Sequence, residues 1–372
     1  MSSPLPSHHR ALVLESTSKP LVVKTLPTPK PTPGSAVLSV LSAGVISYQR
    51  EIYNGVRAYS LPTPMVPGIS AIGRVVGLGP DSVALEHGQL VFFDCTIRAR
   101  DDPETVFLLG IDDGRKPRSQ KLAREAWHDG AWAEYAQVPL ENCIPLNEKR
   151  LCGELGYEIH DLMYINYLLV PFGGLRSIRV EPGETVVVSP ATGGYGGAAT
   201  MVAIALGARV IAFGRNEAEL ARLKNHVLEG SPSAMIETVK MTGDEIVDAD
   251  NLRAFGTIDA AIDFTPPQGA GSSHVRSILH AIRKNGRISL MGLNDNPFVA
   301  WTAIGKNITF QGKLMYERED MLQFVKMLER GLFPQNTGFV DTKVFPLEDW
   351  KACMDTAAEH TGIGKQAVFA PK

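Results

Sequence analysis

The sequence predicts an α/β protein: a doubly wound parallel sheet in the middle of the chain, with a mostly-β portion ahead of it. Three observations carry the prediction. An apolar run, 186–189, enters the turn Pro190-Ala191-Thr192-Gly193-Gly194-Tyr195-Gly196-Gly197 and leaves it in an alanine-rich amphipathic segment. That is the layout of a strand, a phosphate-binding turn and a helix start. Apolar runs then alternate with helical patterns from about residue 180 to 310. Residues 10–150 instead carry short apolar runs separated by glycine and proline, as strands and turns do.

In the first portion, strands are expected at 36–40, 71–78 and 89–93. The run Pro27-Thr28-Pro29-Lys30-Pro31-Thr32-Pro33-Gly34 reads as a rigid connector between strands. In the middle, strands are expected at 185–189, 209–213, 258–264, 287–291 and 308–311. Val275, Ile278, Leu279 and Ile282 follow helical spacing and predict a helix over 272–284. Asn216 followed by Glu219 marks a helix start after the second of these strands. The tail, 333–370, returns to a helix and short strands that pair back with the amino-terminal portion. His8 and His9 fall in a loose tail, His274 and His280 on a helix, and none joins a ligand constellation.

Composition narrows the function classes. The 372 residues leave room for about two or three domains. Lys and Arg number 37 against 40 Asp and Glu, with no block of like charge, so no nucleic acid or anionic membrane is expected as partner. No window approaches ~18 continuous apolar residues, so no membrane span is expected. Residues 1–10 are rich in Pro, Ser and His and lack the apolar core of a secretory leader, so the expectation is a cytoplasmic protein. Cys95, Cys143, Cys152 and Cys353 form no Cys-x-x-Cys pair and read as packing residues in a reducing compartment.

The glycine-rich turn carries the chemistry. Ala191 replaces the first glycine of a Gly-x-Gly-x-x-Gly pattern. Gly193 lets the backbone approach a pyrophosphate, and Gly196 lets helix and strand pack closely. Thr192, Gly194 and Tyr195 complete a turn whose N–H groups, at the positive end of the helix dipole, hold phosphates. The next strand ends at Gly214-Arg215-Asn216. An NAD-selective site places Asp or Glu there for the ribose diol, whereas Arg215 suits a 2′-phosphate. Gly214 leaves room for that phosphate and Asn216 adds a hydrogen-bonding side chain. The expected cofactor is therefore NADPH, and the expected chemistry is hydride transfer.

Several further motifs together resemble the medium-chain dehydrogenase/reductase superfamily. Pro67-Gly68-Ile69-Ser70 resembles its Pro-Gly-His-Glu segment, Gly88-Gln89-Leu90-Val91 its Gly-Asp-Arg-Val, and Gly130-Ala131-Trp132-Ala133-Glu134-Tyr135 its Gly-x-x-Ala-Glu-Tyr. Glu181-Pro182-Gly183-Glu184 precedes the first nucleotide strand, as in the superfamily, and Gly286-Arg287-Ile288 and 308–313 resemble its fifth and sixth strands. Met315-Tyr316-Glu317-Arg318-Glu319-Asp320 resembles a stretch of fungal alcohol-dehydrogenase-like proteins. The resemblance implies a GroES-like, mostly-β catalytic domain over 1–165, completed by 313–372. It implies a Rossmann domain over 166–312, an active site between the two, and a homodimer joined through the sixth strands.

The resemblance breaks where the superfamily binds zinc. Its first catalytic ligand position holds Ile46 and its second Ile69, with Ser70 in place of the glutamate. The third zone reads Tyr164-Ile165-Asn166-Tyr167, without thiol or imidazole. The structural zinc lobe, near 92–130, holds only Cys95. Asp101-Asp102 and Asp112-Asp113 there read as a solvated loop rather than a calcium site. No metal is expected. A carbonyl or enolate oxygen then needs hydrogen-bond donors and a proton source. Tyr48 stands where alcohol dehydrogenases place a relay hydroxyl and is the first candidate, with Tyr53 the second. Asn166 and Tyr167 are expected to line the substrate pocket. The leading reading is a zinc-independent NADPH-dependent reductase of a C=C (enone) or C=O bond. The rival is a non-catalytic NADPH-binding sensor or structural protein on the same fold.

Overall fold

A computed structural model of the chain describes residues 5–295 and 300–372. It divides into two compact units. The first comprises Met1–Asn166, Asp341–Thr361 and Gln366–Lys372, and the second Tyr167–Val340 and Gly362–Lys365.

The first unit is mostly β. An antiparallel pair, β1 (His8–Val13) and β2 (Val22–Pro27), leads into β3 (Ser35–Val45), the hub of the main sheet. After the short helix α1 (Gln49–Tyr53) come β4 (Ala71–Leu78) and β5 (Leu90–Phe93). The hairpin β6 (Thr96–Arg98) and β7 (Val106–Leu108), the helix α2 (Pro117–Glu125), β8 (Tyr135–Pro139) and β9 (Cys143–Pro145) follow. β3 pairs antiparallel with both β4 and β8. Its run of small and branched residues is buried along nearly its whole length, which fits a strand covered on both faces. The proline-rich run connects β2 to β3 and closes on Gly34, whose φ of +77° suits glycine and whose N–H donates to Asp81 Oδ1 at 2.7 Å. His8 and His9 are not in a loose tail. They open β1, where His9 pairs with Leu26 and is buried edge-on to Tyr135, because the ladder to β2 begins at His8.

The second unit is a six-stranded parallel sheet with helices. α3 (Ile165–Ser177) precedes β10 (Thr185–Ser189), and α4 (Gly194–Ala205) leads to β11 (Arg209–Gly214). Then come α5 (Glu217–Gly230), β12 (Ile236–Lys240), α6 (Glu245–Arg253), β13 (Ala260–Asp263) and α7 (His274–Ala281). β14 (Arg287–Leu290), α8 (Ala300–Lys306), β15 (Thr309–Gly312) and α9 (Arg318–Glu329) complete it. The strand order β12-β11-β10-β13-β14-β15 is that of a doubly wound dinucleotide-binding fold, reversing direction between β10 and β13. Val187, Ile211 and Phe213 of the sheet pack with Leu252, Ile278 and Ile288 in one fully buried cluster. Each such side chain contributes about 1.5–3 kcal/mol by burial.

All five strands expected here are present, and β12 is the addition. Its sequence, Ile-Glu-Thr-Val-Lys, buries only Ile236 and Val239, so it lacks the continuous apolar run of its neighbours. Asn216 caps α5 by accepting the Glu219 N–H at 3.2 Å. α7 stops before 284 because Ile282 is extended and Arg283 N–H donates to Ile258 O.

The chain rejoins the first unit at Asp341 rather than at 313. α9 stays with the second unit: Phe324 lies 5.4 Å from Phe172 of α3, and Asp320 accepts Arg176 Nε at 2.7 Å. β16 (Asp341–Phe345), α10 (Trp350–Glu359) and β17 (Lys365–Phe369) follow, with β17 antiparallel to β3.

Candidate functional site

Within the second unit, β10 delivers the chain to the glycine turn. Ala191 is fully buried and its N–H donates to Phe213 O at 3.0 Å. This position therefore anchors the turn to β11, and its N–H is not offered to a phosphate. Gly193 has extended backbone and caps α4, and a Cβ there would meet nothing within 4 Å. A Cβ on Gly196 would lie 2.1 Å from Pro190 O, so only glycine lets α4 approach β10. Gly197, which the sequence reading did not single out, is equally constrained: its Cβ would lie 2.6 Å from the backbone of Ile363. The result is an open cradle at a helix N-terminus, fitted to a pyrophosphate. Tyr195, half-buried on the first turn, lies 5.3 Å from the Tyr167 ring and stacks on Phe264 at 6.2 Å and 18°.

Beside the cradle is a cavity of about 570 Å³, within the usual range for small-molecule sites. It lies beyond the carboxyl ends of β11 and β12, where an adenosine is held in this fold. Arg215, Thr242, Glu245, Gln268, Ser272 and Arg276 contribute to its lining. Arg215 is exposed at the end of β11. Asn216 is placed beside it, but its Oδ1 is engaged in capping α5. Two buried clamps fix the walls. The Asp248 carboxylate accepts from Thr242 N–H at 2.8 Å, Thr242 Oγ1 at 2.7 Å and Gly243 N–H at 3.2 Å. Asp263 Oδ1 lies 2.7 Å from His274 Nε2 and accepts from Thr265 Oγ1 at 2.5 Å, while His274 Nδ1 lies 2.9 Å from Ser272 Oγ. His274 and Asp263 are essentially inaccessible, so this histidine is a structural clamp. The wall residues that follow β12 and those at the start of α7 were missed in the sequence. The available signal was Asp244, which caps α6 by accepting from Ile246 and Val247 N–H.

In the first unit, the two ligand positions hold buried isoleucines, Ile46 and Ile69 at 3% and 4% exposure. Ser70 is fully buried and its Oγ accepts from Cys95 N–H at 3.3 Å. Among the described residues, no three His, Cys, Asp or Glu side chains converge as a metal set. The donor set at these positions does not fit zinc. Cys95 is buried, which pushes its thiol up to about 12. In the lobe over 92–130, Phe107, Leu109, Ile111 and Ala123 are buried, and Asp113 is also buried rather than solvated, accepting Arg115 N–H at 3.0 Å.

Tyr48 sits at the start of α1, half-buried, with the Arg57 guanidinium 4.5 Å from its ring centroid. Tyr53 is differently placed. It is buried edge-on to Trp132 at 5.3 Å, and its hydroxyl donates to Gly110 O at 2.7 Å while accepting from Gln49 Nε2 at 3.1 Å. Burial pushes its phenol up. With donor and acceptor both committed, Tyr53 braces α1. Asn166 is buried in the first unit, with Nδ2 3.7 Å from where a Cβ on Gly44 would stand, whereas Tyr167 belongs to the second unit.

Comparison with known proteins agrees with this architecture. Residues 32–148 match the alcohol dehydrogenase GroES-like domain. Alcohol dehydrogenase 1 of Emericella nidulans is 25% identical over 99% of both chains. L-threonine 3-dehydrogenase of Ruegeria pomeroyi is 26% identical over 87% of this chain and 90% of its own. The cobalt- and zinc-bound thermostable alcohol dehydrogenase of Pyrobaculum aerophilum superposes with a TM-score of 0.74 at 22% identity, covering 98% of this chain and 100% of that one. The fold is thus a GroES-like domain joined to a Rossmann-like parallel-sheet domain. Over 32–148 the chain carries the GroES-like domain of alcohol dehydrogenases, and along nearly its whole length it is similar to oxidoreductases of the alcohol dehydrogenase kind.

Proposed function

We propose that the protein is a zinc-independent, NADPH-dependent reductase of the C=C bond of an enone or the C=O bond of a small or medium organic molecule. The observation that carries this reading is Arg215, exposed on the wall of the adenosine-side cavity where a diol-binding acid would otherwise stand. The glycine turn supports the same reading, since Gly193 leaves open space at the start of α4 while Gly196 and Gly197 let that helix pack closely against Pro190 and Ile363.

When bound, NADPH would supply the hydride for reduction of the electrophilic carbon. The N-terminus of α4 would hold its phosphates and Arg215 its 2′-phosphate. Tyr48 donates a hydrogen bond to the oxygen that gains charge and then gives it the proton, the work a Lewis acid does in zinc relatives. Ile46 and Ile69 support metal independence, since neither carries a donor atom. Asn166 and Tyr167 contribute to the substrate pocket.

We also place β15 at a homodimer interface. It is the edge strand of its sheet, and Trp301, Ile304 and Leu314 near it in sequence are 74%, 64% and 68% exposed. Bare apolar edges of this kind pair or are covered. Sedimentation at micromolar concentration is expected to give the dimer mass, and a monomer removes this assignment. The buried free thiols Cys95, Cys143 and Cys353 support a reducing compartment such as the cytoplasm.

Fluorescence titration with NADPH and NADH tests the cofactor reading, followed by a screen of mixed enones, ketones and quinones for cofactor oxidation. Preference for NADPH by about tenfold or more is expected from one charge-assisted contact. Equal affinity removes the role given to Arg215.

A further inference from the structure

The Arg57 guanidinium lies over the Tyr48 ring, 4.5 Å from its centroid. Arg57 is itself anchored. Its Nε donates to Glu51 Oε2 at 2.5 Å, its N–H donates to Glu51 O at 2.8 Å, and its carbonyl accepts from Tyr59 N–H at 2.8 Å. Glu51 stands on the same turn of α1 as the tyrosine, its N–H donating to Tyr48 O at 3.1 Å. The Arg57 and Glu51 side chains are 22% and 35% exposed, so the ion pair is partly withdrawn from water. The segment that follows is tied to the lobe over 92–130: Arg115 Nη2 donates to Ala58 O at 2.6 Å and Asp113 N–H to Ser60 O at 2.9 Å. Arg57 therefore spends an edge of its guanidinium on Glu51 while its charge sits over the Tyr48 ring.

We propose that Arg57 is a positioning residue that acts through Tyr48, holding its ring for proton donation, with Glu51 as the brace. The proposal rests on the catalytic reading of Tyr48 and deepens it. A half-buried tyrosine can turn about its side-chain torsions, and a misplacement of about 1 Å costs about a hundredfold in rate. A cation anchored over the ring restricts that freedom. Its effect also grows during the reaction. When the Tyr48 O–H bond breaks, the proton joins the substrate oxygen and the electron pair stays on the phenolate, which later takes a proton from solvent. The ring is then richer in electrons, so the guanidinium attracts it more strongly than before the transfer. Only an interaction that strengthens toward the transition state raises kcat. Glu51 holds Nε, so Arg57 cannot swing away without losing a charge-assisted bond.

The rival role for Arg57 is local folding: it would merely tie residues 54–60 back to α1. A double-variant cycle separates the two, read on the whole protein with NADPH and the carbonyl compound best reduced in the screen of enones, ketones and quinones. Arg57→Gln is expected to lower kcat about tenfold, with KM and NADPH affinity within about twofold. Arg57→Lys keeps the cation and is expected to recover most of that loss. A lysine variant as slow as the glutamine variant overturns the role given to the charge. In Tyr48→Phe no hydroxyl remains for Arg57 to act through, so Arg57→Gln is expected to change kcat there by less than about twofold. Equal losses in the two backgrounds, or none with Tyr48 present, overturn the proposal; a slow Tyr48→Phe then leaves the reading of Tyr48 standing. Tyr48→Phe as fast as the wild type overturns that reading, and this inference with it. A wild type that reduces none of the screened compounds does the same. Should Arg57→Gln fail to fold, Glu51→Gln replaces it in both backgrounds, removing the brace and keeping guanidinium and ring. A loss of about threefold or more in kcat is then expected with Tyr48 present and under about twofold without it, and equal losses overturn the proposal.

Discussion

The two units treat the sites that their motifs resemble in opposite ways. The second unit keeps the dinucleotide turn open: Gly193 has nothing within 4 Å of its missing side chain, and Gly196 and Gly197 stand where a Cβ would collide with backbone. In the first unit, the positions that resemble metal-ligand positions hold the buried Ile46 and Ile69, and the lobe over 92–130 is packed. The difference teaches which part of the chemistry is indispensable. A hydride donor cannot be improvised from side chains, so its cradle must stay empty of them. A Lewis acid can be replaced by a hydrogen-bond donor at the developing oxyanion.

The largest test of that contrast is Tyr48→Phe, which keeps the ring and removes the hydroxyl. General acid catalysis contributes about 10²–10⁴ in rate, so kcat is expected to fall by that order while NADPH affinity holds. Single-turnover rates equal within about a factor of two would make Tyr48 a packing residue. A pocket water would then be the next proton source, since Tyr53 already donates to Gly110 O.

The second test asks whether packing alone holds the lobe together. Phe107, buried at 4% exposure, is part of its apolar centre. Phe107→Ala is expected to destabilise the protein by about 3–5 kcal/mol, read as a lower midpoint in denaturant. Prolonged chelator treatment of the parent protein is expected to leave that midpoint and the activity unchanged, and elemental analysis to find well under one zinc per chain. Stoichiometric zinc would overturn the contrast on the side of the first unit.

Arg215→Asp probes the other side. It removes a charge-assisted contact and adds repulsion, so NADPH affinity is expected to fall about ten- to a hundredfold, with NADH changed much less. Equal losses for both cofactors would make Arg215 structural.

Sequence alone carried the skeleton of this contrast but not its detail. The parallel sheet was legible because β10, β11 and β13 are near-continuous apolar runs, as buried parallel strands require. β12 was not, because its outer position fully buries only Ile236 and Val239. The glycine turn was legible from spacing, yet the N–H of Ala191 is spent on Phe213 O, a contact set by register between strands that spacing does not encode. Tyr53 looked as suitable as Tyr48 in the sequence. Only the arrival of the Gly110 carbonyl from 57 residues away commits its hydroxyl. The ion pair between Glu245 and Arg276 of the cavity wall was hidden for the same reason: its partners meet through the packing of α6 on α7.

The smallest expected effect concerns the edge of the lobe, where His128 ties Asp129 to Pro62. Its Nδ1 lies 2.9 Å from Asp129 Oδ1 and its Nε2 lies 3.0 Å from Pro62 O, while Asp129 also accepts Val66 N–H at 2.8 Å. The hydrogen bond to Asp129 raises the imidazole pKa above its ordinary value, against partial desolvation. The folded state therefore binds the proton more tightly than the unfolded chain does. The resulting stability is fully present below the unfolded pKa, about 6.5, and is lost as pH rises through the raised folded value. The pair is about one-third exposed on the histidine side and more on the aspartate side, so screening holds its worth below about 1 kcal/mol. Thermal melts of wild type and His128→Asn are expected to differ most at acidic pH and to converge in alkaline buffer. A gap that widens with rising pH would mean that His128 is needed as a neutral packing group, and that the lobe owes its anchoring to shape alone.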